Sequence, residues 1–142
     1  MVDCAVNPAH NPVGIWSPCM KTDTAMSAIG NEVLSEEDLV LIITRRLFQG
    51  DAQRHFIGTV EQVSSSAFRV RGHAFIRDAG SGSFVRRKGQ RTRIFPFDNH
   101  VIIFVISNEV DIVNVRYEHQ KTNQLFVTDG KHLNLDISEF AT

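Results

Sequence analysis

Between Phe68 and Arg77 the chain alternates with period two. Phe68, Val70, Gly72, Ala74 and Ile76 fall on one side; Arg69, Arg71, His73, Phe75 and Arg77 fall on the other. Successive side chains of a strand point to opposite faces, so the pattern predicts a strand with one apolar and one basic face. Ala79-Gly80-Ser81-Gly82-Ser83 supplies the small residues that reverse a chain. A second strand is expected from Phe84 to Arg87 and a third from Gln90 to about Phe95. Read as a two-residue loop, Lys88-Gly89 sets Arg86 opposite Arg91 and Phe84 opposite Arg93. Like charges that face each other repel mildly. An anion laid across them would relieve the pair, and so would splaying both into water.

The neighbouring segments extend this β reading. His55 to Val63 reads as a strand, closed by the turn Ser64-Ser65-Ser66. Gly58 interrupts it and Gly72 interrupts the next, which predicts paired bends that curl the sheet. Val101 to Ile106 is apolar at every position, the signature of a strand covered on both faces. It is therefore expected at the centre of the sheet. Val110 to Tyr117 reads as a further strand, and Asp129-Gly130 as a hairpin between Leu125–Thr128 and Lys131–Ile137. In that hairpin Leu133, Leu135 and Ile137 point inward and His132, Asn134 and Asp136 outward.

One segment reads as a helix. Ser35-Glu36-Glu37-Asp38 has a capping-box pattern, with acids where a helix dipole is positive. Leu39, Ile42, Ile43 and Leu47 follow at helical spacing, Arg45 and Arg46 fall in the last turn, and Gly50 is a stop signal. Val40, Leu41 and Phe48 make this helix apolar on more than one face, which would suit a second subunit.

Residues 1–34 hold three of the four prolines (Pro8, Pro12, Pro18) and no hydrophobic period. They are expected to form a poorly ordered extension ahead of a single domain over 35–142, with Met20 and Met26 as alternative starts. Cys4, Cys19 and His10 fit no zinc spacing and lack a fourth ligand. No basic start with an apolar core marks a signal peptide, and no run reaches the ~18 apolar residues of a membrane span. A cytoplasmic protein without membrane contact is the expectation.

Charge is distributed unevenly. The net charge is −5 over residues 1–44, +8 over 45–93 and −4 over 94–142. A basic middle of this kind suits a polyanion, or is neutralised by acidic segments folded over it. Catalytic signals are weak. His73 with Asp78, or His100 with Asp98, could move a proton, but neither has a nucleophile or a metal beside it. Gly80-Ser81-Gly82 joins strands and precedes no helix, so it is not a phosphate loop. No cofactor is implied.

The expected fold is mainly β (α+β). One N-terminal helix is followed by six to seven antiparallel strands forming a small barrel or strongly curved sheet. The order helix-then-strands, over about residues 35–117, is similar to that of Sm-like barrels, which bind RNA as rings. The Asp and Asn that flank the first hairpin of that pattern are missing, since Val60 to Phe68 reads VEQVSSSAF. The resemblance therefore carries no family assignment. A cone-shaped α+β fold with the helix inside a curved sheet is the structural alternative.

The functional expectation is a non-catalytic binding module for single-stranded nucleic acid or another polyanion. Its candidate residues are Arg69, Arg71, His73, Phe75, Arg77, Arg86, Arg91 and Arg93, with cations on phosphates and the Phe75 ring on a base. A solvated sheet face would show the same alternation. The other classes are a small-ligand binder or enzyme with a pocket between helix and sheet, and an oligomeric structural protein associating through the apolar helix.

Overall fold

The computed structural model describes residues 33–121 and 123–140. Apart from Val33 and Leu34, the extension expected over residues 1–34 lies outside them, with Cys4, His10, Cys19 and both alternative start methionines. Nine strands and two short 3-10 turns make up the described chain. The strands are β1 (Leu39–Thr44), β2 (Arg54–Val63), β3 (Ala67–Arg77), β4 (Phe84–Arg86), β5 (Arg91–Pro96), β6 (Val101–Ile106), β7 (Arg116–His119), β8 (Leu125–Thr128) and β9 (Asn134–Asp136). The 3-10 turns are Ile112–Asn114 and Ser138–Phe140. All pairings are antiparallel.

The expected helix is absent. Its capping signal forms a tight turn instead: the Ser35 N–H donates to Asp38 Oδ2 at 2.8 Å, and Glu37 has φ +70°. The apolar run that follows is β1. Leu39 to Ile43 are each no more than 3% exposed, whereas Leu47 and Phe48 are 62% and 74% exposed. Five consecutive buried positions require cover on both faces, which a sandwiched strand receives and an amphipathic helix does not. Loss of the helix also removes the feature that made the chain similar to Sm-like barrels. Leu41→Ala should therefore cost about 2–5 kcal/mol in denaturant melts, and Leu47→Ala less than ~0.5 kcal/mol. The helical reading demands a substantial cost at Leu47.

The larger sheet runs β4-β3-β2-β1-β6, with β5 also on β3. The run Val101–Ile106 is thus an edge strand rather than the centre; β2 holds the middle of the sheet, and β1 lies between it and β6. Lys88-Gly89 does not make a hairpin. β4 pairs Phe75–Arg77 and β5 pairs Ala67–Gly72, so both lie along the same side of β3. The residues between them form an irregular bulge, with Gly89 at φ +82°. Arg86 faces Phe75 and Arg91 faces Gly72, in place of the expected Arg86–Arg91 opposition.

This sheet bends sharply where Gly58 faces Gly72. Phe56 pairs with Ala74 and Phe95 with Phe68, positions six residues apart on β3. A straight strand would separate those rungs by roughly 20 Å. The Phe56 and Phe95 rings nevertheless stand 5.5 Å apart, so the strand has folded back. The bulge at Glu61 adds to the curl. β5 and β6 follow each other with only Phe97–His100 between them, yet they do not pair, and no barrel closes.

β7, β8 and β9 form a separate three-stranded sheet. Its Leu125 and Val127, with Ile137 just after β9, pack with Leu39, Leu41, Ile43, Ile57 and Phe75 in one apolar cluster. Val40, Ile42, Phe56, Val60, Phe68, Val70 and Phe95 form a second cluster on the opposite face, inside the bend. The strand expected over Val110–Tyr117 is instead a 3-10 turn followed by β7. The Asp129 turn is longer than a two-residue hairpin. Asp129 Oδ1 accepts from the N–H groups of Lys131, His132 and Leu133, and Oδ2 from that of Asp111. Those bonds, led by that of Lys131, hold the Asp129 carboxyl below the usual carboxylate range.

Candidate functional site

Residues paired across antiparallel strands share a face, and the β3–β5 register therefore sorts the candidate arginines. Arg69 faces Ile94 and Arg71 faces Thr92 on one side of the sheet. Arg93 faces Val70 and Arg91 faces Gly72 on the other. The eight residues expected on one surface are thus divided between two.

On the first side most of the set is already engaged. Arg71 Nε lies 3.2 Å from Glu61 Oε1, in an exposed ion pair. Phe75 is 1% exposed, with its ring 5.2 Å from that of Tyr117. It is a core residue and offers no face to a base, because the second sheet covers this end of β3. Arg77 donates from Nε to Gly82 O at 3.1 Å and from Nη1 to Gln53 Oε1 at 2.9 Å. Arg86 Nη1 donates to Val113 O at 2.7 Å and so ties β4 to the 3-10 turn. His73 is half-buried; burial first, then Arg86, holds its imidazole below the usual value. Only Arg69 and Arg71 of this group are openly exposed.

The other side brings together Arg93, Arg91 and a residue the sequence reading passed over, Arg54. The Arg93 guanidinium lies 5.4 Å from the Phe56 ring centre, within cation–π range. Its pKa is lowered by burial, and further by Arg91 and Arg54. Among the described residues no carboxylate forms an ion pair with any of the three. The missed signal was the parity of β2: Arg54 precedes Phe56 by two, and Phe56 is apolar on the inner face.

Arg54 also borders a cleft of about 400 Å³ beside the loop that follows β1. Arg45, Arg46 and His100 supply its other basic groups, and Leu47, Phe95 and Val101 its apolar wall. Its two acids serve local turns: Asp51 Oδ2 accepts from the Phe48 N–H, and Asp98 Oδ1 from the His100 N–H. Phe48 and Phe97, 74% and 44% exposed, are sequence neighbours of lining residues.

The acid–base pairs do not assemble into a site. Asp98 bonds the His100 backbone, and Asp78 Oδ2 accepts from the Ser81 N–H and Oγ at 2.8 Å each. A buried histidine does stand in the core. His55 is 2% exposed, stacks on Phe84 at 4.2 Å, and places Nδ1 2.9 Å from Tyr117 Oη. Burial pushes its pKa down to about 4, so it is neutral at neutral pH. Among the described residues no group of three His, Cys, Asp or Glu could hold a metal, and no helix is long and apolar enough to cross a membrane.

Fold and site define a two-sheet antiparallel β protein with a crowded arginine cluster on its bent face. No family model, curated protein or solved structure matches the chain.

Proposed function

We propose that the protein is a non-catalytic binding module for single-stranded nucleic acid, gripping phosphates with Arg54, Arg91 and Arg93. The observation that carries this reading is Arg93. Two like charges crowd a guanidinium that is partly removed from water, and no described carboxylate pairs with any of the three. Like charges held together without a counter-charge destabilise the free protein and favour an anion. The cleft continues this basic surface through Arg54, Arg45 and Arg46, and Phe48 offers an exposed ring for stacking. Phosphates and bases together suit a single strand, whose bases are free to splay.

Fluorescence anisotropy with labelled RNA and DNA oligomers, repeated at several salt concentrations, tests the reading. Three phosphate contacts predict a log–log salt slope of about −2.1 on single strands. Replacing Arg91 and Arg93 together with alanine should weaken binding to every sequence and flatten that slope by ~1.4. The Arg69→Ala/Arg71→Ala pair, on the opposite side of the sheet, should leave it nearly unchanged. Absence of binding at low salt, or equal loss from both pairs, would remove this site from consideration.

A further inference from the structure

The two edges of the larger sheet are treated in opposite ways. The β4–β5 edge is broken by the Gly89 bulge and carries Arg86, Arg87, Lys88, Arg91 and Arg93. Bulges and charges are the usual guards against strand pairing. The β6 edge has no such guard. Its sequence, VIIFVI, contains no charge, proline, glycine or polar side chain, and Val105 is 54% exposed.

The phase of β6 follows from one hydrogen bond. The Arg45 N–H donates to His100 O at 2.8 Å, continuing the β1–β6 register by one pair. Backbone groups alternate in direction along an antiparallel strand. Those of Ile102, Phe104 and Ile106 therefore face β1, and those of Val101, Ile103 and Val105 face away from the sheet. The outward N–H and C=O groups accept a strand, and we propose that the strand is β6 of a second copy.

Antiparallel pairing about a two-fold axis normal to the sheet places each residue opposite one of the same parity. Centred on Ile103, it makes three hydrogen-bonded pairs: Val101 with the other copy's Val105, Ile103 with its twin, and Val105 with the other Val101. All three outward residues are used, and Val101-Ile102-Ile103-Phe104-Val105 is nearly the same read in either direction. Valine meets valine and isoleucine meets isoleucine on one face, while Ile102 meets Phe104 on the other. A closed two-fold interface of this kind is isologous. It joins two curved sheets across β6, whereas Arg91 and Arg93 lie on β5 at the opposite edge of each sheet.

Light scattering and amide hydrogen exchange on the full chain test the proposal. The native protein should have twice the chain mass of 16.0 kDa, falling to one chain mass on dilution. Val105→Lys places a hydrated charge at the edge, where it prevents pairing without touching the core. It should give the 16.0 kDa species with an intact far-ultraviolet spectrum. In the native protein, diluting through the transition should speed exchange of the Val101, Ile103 and Val105 amides by at least about tenfold, the signature of local opening. The Ile102 and Phe104 amides should not change. A monomer at every concentration, or a dimer that survives Val105→Lys, would overturn the inference. Protection that ignores concentration would mean that the same chain covers its own edge. Growth past the dimer would mean that β6 pairs head-to-tail with the β4–β5 edge.

Discussion

Gly72→Ala should abolish the cooperative melt of the domain. A Cβ at Gly72 would lie 1.9 Å from Ile57 O and 2.5 Å from Gly58 Cα, both backbone atoms of the paired strand. Neither can rotate away as a side-chain end would. Relief requires β2 and β3 to separate at the bend, where the Gly58–Gly72 pair lets Phe95 return onto Phe56. Loss of that contact opens the inner cluster, so the cost should exceed ~4 kcal/mol, in the range reserved for severe steric or cavity lesions. Gly58→Ala should behave alike, since its Cβ would meet Arg71 O at 2.3 Å. Gly50→Ala is the control: nothing lies within 4 Å, and its effect should stay within ~0.5 kcal/mol. Thermal melts by circular dichroism decide it. A Gly72→Ala protein melting with the native one would mean that the strands do not approach this closely.

That bend was legible in the sequence, because a glycine interrupting each of two adjacent strand patterns has few other meanings. The strands themselves were also legible wherever alternation was strong, as in β3 and the C-terminal Leu133, Leu135 and Ile137. What failed were judgements about neighbours. Leu39–Ile43 and Val101–Ile106 are both uninterrupted apolar runs, and such runs do not reveal whether a strand is central, at an edge, or a helix. Capping residues tipped the first towards a helix, although the same Ser35 and Asp38 also close a turn. The Arg86–Arg91 opposition failed because Lys88-Gly89 serves equally as a hairpin loop or a bulge. Period two assigned Phe75 to the basic face correctly by parity. It could not show that a second sheet, from residues forty and more positions later, covers half of that face. Two of the three clustered arginines were visible: Arg91 and Arg93 were named, but Arg54 joins them only once β2 and β5 meet across β3.

Acid should weaken the fold through His55 before its carboxylates are protonated. The His55 imidazole is held at about 4 by burial, against an ordinary value of 6.5. An unfolded chain therefore takes up this proton as pH falls below 6.5, and the folded chain does not until about 4. Stability from this residue is complete above pH 6.5 and declines with falling pH across that window. At roughly 1.4 kcal/mol per unit the loss comes to about 3 kcal/mol, a large share of a small domain's stability. His73, lowered in the same direction, adds to the slope. Asp78, Asp129 and Asp136 are held below the ordinary carboxylate value, so their contributions disappear at lower pH, beneath most of this window. Urea midpoints measured from pH 7.5 to 4 separate the two, at roughly half-unit steps. His55→Gln keeps a group able to hydrogen-bond Tyr117 Oη and removes the titration. Its stability at neutral pH should be lower, but its pH slope between about 6.5 and 4.5 should be flatter by nearly the full histidine contribution. Parallel curves for the native protein and His55→Gln would mean that this imidazole is hydrated or paired in the fold, and that acid acts elsewhere.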